Sequence, residues 1–194
     1  MPPKTPSKRA PRPMPPGNAM AARVQSMVRV DHAGETAAVA IYQAQQNVFG
    51  ALRHKRAITK TLYDMEMGEH VHLNAFNDEL RQRSARPTAL IGLWQPLSFA
   101  LGAGTALLGE KCAHACTEAV EDVIEEHYQG QIDELEAAGI EPALVATFKQ
   151  FREDELGHRD KAIEEGAHEA PAYPLLTGLI KAGCRTAIAL SEKI

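Results

Sequence analysis

Apolar side chains recur along most of this chain at alternating intervals of four and three residues, the period of a helix that buries one stripe in a bundle. A first stripe reads Val24, Val28, Asp31, Glu35, Ala38, Tyr42, and a second reads Ile58, Leu62, Met65, Glu69, His72, Phe76. A third, looser one carries Val120, Glu121, Ile124, Tyr128 and Leu135; a fourth reads Leu144, Phe148, Phe151, Glu155, His158, Ala162. Four helices are therefore expected. The short connections Gly50–Arg53 and Ala138–Pro142 leave the helices of each pair antiparallel, and a crossover of about 20 residues from Arg83 onward joins the pairs. In every helix a carboxylate lies on or beside the stripe that should face the core.

An unpaired buried carboxylate costs on the order of several kcal/mol, so four of them facing one another require a positive partner. Two ferrous ions supply four positive charges, which match four glutamates beside two neutral imidazoles. Glutamate at i and histidine at i+3 share one helix face, so Glu69 with His72 and Glu155 with His158 form two chelating pairs. The spacing makes a second, independent case. Glu35 precedes Glu69 by 34 residues, and Glu121 precedes Glu155 by 34. A shift of 86 residues carries Glu35, Glu69 and His72 onto Glu121, Glu155 and His158 together, the mark of a duplicated helix pair. One Glu and one Glu-x-x-His from each pair is the ligand set of ferritin-like di-iron bundles. The fold expected is thus all-α, a ferritin-like four-helix bundle with a long apolar crossover segment and an additional C-terminal helix.

Two nearby pairs compete for the same reading. Glu66 with His70 would be i,i+4 and would break the duplication. Glu165 with His168 brackets Gly166 near a helix end and has no counterpart 86 residues earlier, where Gln82 stands. Neither is taken as a ligand pair.

Composition narrows the context. A formal charge of -4 argues against nucleic acid as a partner. Three cysteines, Cys112, Cys116 and Cys184, are too few for a disulfide framework and, with His114 alone between the first two, for a zinc site. Residues 1–18 hold seven of the twelve prolines and several cations, so they are expected to form an unstructured basic tail ahead of a domain spanning 19–194. Pro87–Gly109 runs 23 residues without a charge, interrupted by prolines and glycines. An interfacial or channel-lining helix, ordinary core and a membrane span all remain open for it. A C-terminal stripe of Leu176, Leu179, Ile180, Ala187 and Ile188 suits a capping helix or one lying on lipid.

The ligand residues sit inside longer phrases: RVDHAGE at 29–35, FALGAGTALLG at 99–109, ACTEAVE at 115–121, HYQGQI at 127–132, FREDELGH at 151–158, APAYPLL at 170–176 and AGCR at 182–185. These resemble the demethoxyubiquinone hydroxylase family of ubiquinone biosynthesis, over nearly everything from about residue 25 to the end. The resemblance implies Glu35, Glu69, His72, Glu121, Glu155 and His158 as ligands of two iron ions per chain. It implies hydroxylation of the ring of a demethoxyubiquinone or its quinol, with one atom of dioxygen entering the product and the other leaving as water. It further implies an isoprenoid-tailed substrate, an electron donor such as NADH, other proteins of ubiquinone biosynthesis as partners, and a homo-oligomer as an option. The two apolar segments suggest an enzyme that meets an apolar substrate at a membrane surface, expected at the cytoplasmic face of a bacterial inner membrane ahead of the mitochondrial inner membrane. On this reading Glu35 and Glu121 are the flexible or bridging carboxylates. Asp154, His127 and Tyr128 are the candidates for fixing the ligand histidines from behind. The rival readings are a ferritin- or rubrerythrin-like iron-handling or peroxidase protein and a non-enzymatic helical membrane scaffold.

Overall fold

The computed structural model describes residues 16–194, and among these it holds helices and no strand. Most of the expected N-terminal tail therefore lies outside the described residues, and the first helix begins at Pro16. The helices are α1 (Pro16–Gly50), α2 (Arg56–Gln82), α3 (Ile91–Leu107), α4 (Glu110–Ala138), α5 (Pro142–Glu164) and α6 (Tyr173–Ser191). Helix α1 packs along α2, and α4 packs along α5, so the two expected antiparallel pairs are present. The α4–α5 turn uses Gly139 in the left-handed region (φ 65), then Pro142 at the start of α5, the usual stop and start signals of helices. Arg83 at the end of α2 donates two hydrogen bonds to the Glu141 carboxylate, at 2.8 and 2.7 Å, and ties the pairs together at that end.

The core repeats as the sequence does. One apolar cluster contains Tyr42, Phe49, Ile58, Leu62 and Met65. The 86-residue shift carries these onto Tyr128, Leu135, Leu144, Phe148 and Phe151, which belong to the other cluster. The first cluster is built mainly by α1 and α2, the second joins α4 and α5 to Val24, Val28, Phe76 and Leu80 of the other pair, and the charged residues lie between the two. That placement keeps water from the acids on both sides.

The uncharged crossover is helix α3, laid against α1. None of the described helices is long and apolar enough to cross a membrane, which removes the spanning option for this segment. Gly102 lets α3 approach: a Cβ there would lie 2.4 Å from the carbonyl oxygen of Ile41 and 2.9 Å from its Cα. Backbone atoms cannot swing aside, so Gly102→Ala must push the helices apart. We expect a loss of about 2–3 kcal/mol, read as a fall of roughly 5–10 °C in Tm. An unchanged thermal transition would mean that α3 sits farther from α1. Helix α6 packs on α4, and Trp94 of α3 donates to the Ser191 hydroxyl at 2.9 Å, so α3 and α6 meet.

Candidate metal centre

Helix α1 contributes Glu35, α2 Glu69 and His72, α4 Glu121, and α5 Glu155 and His158. Five of the six are buried, and His158 is partly so. They form two overlapping clusters, Glu35, Glu69, His72 and Glu155 in one and Glu69, Glu121, Glu155 and His158 in the other. Within each, one ligand atom per residue lies within 4.8 Å of the rest. The side chains common to both are Glu69 and Glu155. The bridging part expected of Glu35 and Glu121 is corrected on this point, because each of those reaches one cluster only.

Both imidazoles turn Nδ1 inward. His72 Nδ1 lies 3.0 Å from Glu155 Oε1, and His158 Nδ1 lies 3.0 Å from Glu69 Oε1 and 3.2 Å from Glu155 Oε2. Yet His72 Nδ1, Glu69 Oε1 and Glu155 Oε1 are buried without a partner in hydrogen-bond geometry. Buried polar atoms are rarely left so. Three of them converging on one space, in a set of four carboxylates and two imidazoles, fit a pair of divalent cations of the first transition row.

Electrostatics agrees with that fit. Burial, then the charges of Glu69 and Glu155, push Glu35 and Glu121 well above the usual carboxylate range. Burial alone would raise Glu69 too, but the neighbouring imidazoles of His158 and His72 outweigh it and hold this carboxyl at about 2. Burial disfavours the charged imidazoles, but the surrounding carboxylates overcome it. They raise His72, and they raise His158 to about 11. The cluster draws positive charge, whether protons or metal ions, into the bundle.

A second layer holds the carboxylates. Tyr128 donates to Glu35 Oε1 at 2.6 Å, and Tyr42 donates to Glu121 Oε1 at 2.7 Å. The phenols cross from one helix pair to the other and are related by the same 86-residue shift. Burial and the neighbouring acids push both well above the ordinary phenol range, so they remain donors. Tyr128 was expected behind a histidine and instead holds a carboxylate. Tyr42 was read only as core, although its repeat position gave it away. Asp154 does meet an imidazole: His72 Nε2 lies 3.2 Å from its Oδ2. His127 does not reach either ligand histidine. It faces Asp31 at 3.2 Å, and Gln131 donates to the same Asp31 oxygen at 2.9 Å. Asp31 is a buried acid missed as chemistry; burial raises its pKa, against the pull of His127 and Gln131.

The pairs set aside stay apart from the centre. Glu66 accepts from Gln43 and Gln46, with His70 at 3.3 Å. His168 meets Glu118 at 2.9 Å, where Tyr173 also donates, and the group fastens the start of α6 to α4.

A cavity of about 750 Å³ opens between α1, α3, α4 and α6. Its walls include Trp94, Leu97, Leu101, Leu176, Ile180 and Ile188. Its polar lining includes Glu35, Tyr128, His127 and Asp31, so a greasy space ends beside a residue of the cluster. The C-terminal stripe left open between a cap and a lipid face is one wall of this space.

Residues 22–191 match the family model described as ubiquinone biosynthesis protein COQ7. The chain is 48% identical to the 3-demethoxyubiquinol 3-hydroxylase of Rhodospirillum rubrum, over 90% of this chain and 80% of that one. It is 45% identical to the mitochondrial NADPH-dependent 3-demethoxyubiquinone 3-hydroxylase of Homo sapiens, covering 91% and 81%. To the mitochondrial 5-demethoxyubiquinone hydroxylase of Saccharomyces cerevisiae it is 39% identical, again covering 91% and 81%.

Proposed function

The chain belongs to the ubiquinone biosynthesis protein COQ7 family, and from that premise we infer that it hydroxylates the ring of a demethoxyubiquinol at a di-iron centre held by Glu35, Glu69, His72, Glu121, Glu155 and His158. The observation that carries this reading is the apolar cavity that ends beside Glu35, one of the clustered carboxylates. Iron in that cluster would supply the activation of dioxygen that an aromatic or quinoid ring needs before it accepts an oxygen atom.

The side chains have distinct tasks in this reading. Glu69 and Glu155, shared by the clusters, would help hold both iron ions, while Glu35 and Glu121 would each serve one. Tyr128 and Tyr42 hold those two outer carboxylates by one oxygen each and leave the other free to turn inward. Phe148, Phe151, Phe76 and Leu62 keep bulk water from the centre. The isoprenoid tail lies along Leu97, Leu101, Leu176 and Ile180, which directs the ring toward Glu35. Asp31 and His127, at the polar end of the cavity, are placed to hold a ring hydroxyl.

The reductant we propose is a reduced nicotinamide, with NADPH ahead of NADH because the name of the Homo sapiens relative carries it. A tailed quinol resides in lipid, and Leu97 and Leu179, which line the cavity, are also 52% and 66% exposed. These support a protein lying on a membrane surface, with the cytoplasmic face of a bacterial inner membrane as the proposed site.

The test uses reduced, iron-loaded protein, a demethoxyubiquinol and oxygen-labelled dioxygen, with the product read by mass spectrometry. One labelled atom in the new ring hydroxyl is expected. Unchanged substrate, or an oxygen atom drawn from water, would overturn the reading.

A further inference from the structure

The duplication supplies an internal control, because each feature behind one ligand histidine has a counterpart 86 residues away behind the other. Behind His72, Nε2 lies 3.2 Å from Asp154 Oδ2, and Gln150 fixes the other carboxylate oxygen, Oδ1, at 3.0 Å. The residue equivalent to Asp154 is Gly68, which faces the His158 ring. A Cβ at that position would lie 3.3 Å from both Cε1 and Nε2 of His158, so even a methyl group presses on the ring. No hydrogen-bond partner stands on His158 Nε2 among the described residues.

The aromatic surroundings differ in the same direction. His72 stacks on Phe151 with centroids 4.0 Å apart. The residue equivalent to Phe151 is Met65, and among the described residues His158 meets an aromatic ring only edge-on, Tyr42 at 6.3 Å. The side chain of His72 is 2% exposed and that of His158 is 16% exposed. One imidazole is thus held from behind by a carboxylate and a stacked ring, while its twin lacks both supports and is the more exposed of the two.

We propose that the two cation positions are unequal: the one formed by Glu35, Glu69, His72 and Glu155 fills first and holds its ion, because Asp154 positions His72, while the His158 position fills second and exchanges. This rests on the di-iron reading of the centre but not on the identity of the substrate. A metal-binding histidine whose far nitrogen is hydrogen-bonded is oriented before the ion arrives, and loss of such a partner typically weakens binding about 10–100-fold. Repulsion between two cations would by itself separate the binding steps in any such site. The claim therefore concerns which position is the tight one.

The experiment is an anaerobic titration of the metal-free full chain with manganese(II), followed by electron paramagnetic resonance. Two steps are expected, an isolated-ion spectrum first and a coupled-pair spectrum second. Asp154→Ala should weaken the first step by about 10–100-fold and leave the second nearly unmoved. Asp154→Asn keeps an oxygen acceptor for the His72 ring and should recover most of the loss. His72→Ala should remove the tight step, and His158→Ala should leave it. Asp154 is 42% exposed, so its variants should keep their helix content by circular dichroism. A first step unaffected by Asp154→Ala, or one lost in His158→Ala and kept in His72→Ala, would overturn the proposal. No manganese bound by the parent chain would overturn the metal reading itself, a different and recognisable failure.

Discussion

Replacing Glu155 by alanine is expected to abolish both iron retention and hydroxylation while leaving the helices in place. Glu155 belongs to both four-residue clusters and lies within 3.2 Å of an Nδ1 of each histidine. On the proposed di-iron reading its loss removes a ligand from two ions at once, and the effect should exceed the roughly 100-fold that loss of a single outer partner costs. The effect on stability depends on metal. In ion-free protein Glu155 is a like charge that raises Glu35 and Glu121, so its removal relieves repulsion as well as stranding two imidazoles. The ion-free variant should unfold close to the ion-free parent. Ferrous iron at 100 times its dissociation constant stabilises a chain that binds it by about 2.7 kcal/mol, or roughly 5–10 °C in Tm for this length. Anaerobic thermal scans should show that rise in the parent and none in the variant. A variant that keeps its iron and its activity would remove Glu155 from the centre.

The second large effect is expected far from any ligand. Ala187 lies on α6, on the wall of the cavity, and tryptophan there projects an indole into a space of about 750 Å³. The tail and the ring cannot both keep their places beside it. Since displacement of a reacting group by about 1 Å can cost on the order of 100-fold, kcat/KM for a long-tailed substrate should fall by roughly 10–100-fold. Iron content should stay that of the parent, because α6 supplies none of the six side chains. A short-tailed analogue should be affected less. Equal loss of iron and activity would instead make α6 a support of the metal centre.

The clustering of the six side chains was legible because it breaks a local rule. Glu35, Glu69, Glu121 and Glu155 occupy positions that the period of each helix assigns to the core, and a repeated conflict of that kind has few physical resolutions. The antiparallel pairs were equally visible, since Gly139 and Pro142 stop and start helices by backbone chemistry alone. Relations between helices were much less so. Which carboxylates belong to both clusters depends on side-chain directions across four helices, and there Glu69 and Glu155 take the place expected of Glu35 and Glu121. His127 misled for the same reason: its position along α4 says nothing of Asp31, which comes from α1. Tyr42 was hidden by its ring, which fills the core as its stripe demands, while its hydroxyl does separate work on Glu121. Both apolar walls of the cavity, α3 and α6, were marked in the sequence by an uncharged stretch and an apolar stripe, but that they meet beside Glu35 depends on packing across helices.

Anomalous scattering at the iron edge, from crystals of the iron-loaded protein, tests the central claim most directly. Two peaks should lie between Glu69 and Glu155, one beside His72 and Glu35 and the other beside His158 and Glu121. A bundle interior without iron, or iron bound only at its surface, would contradict the account.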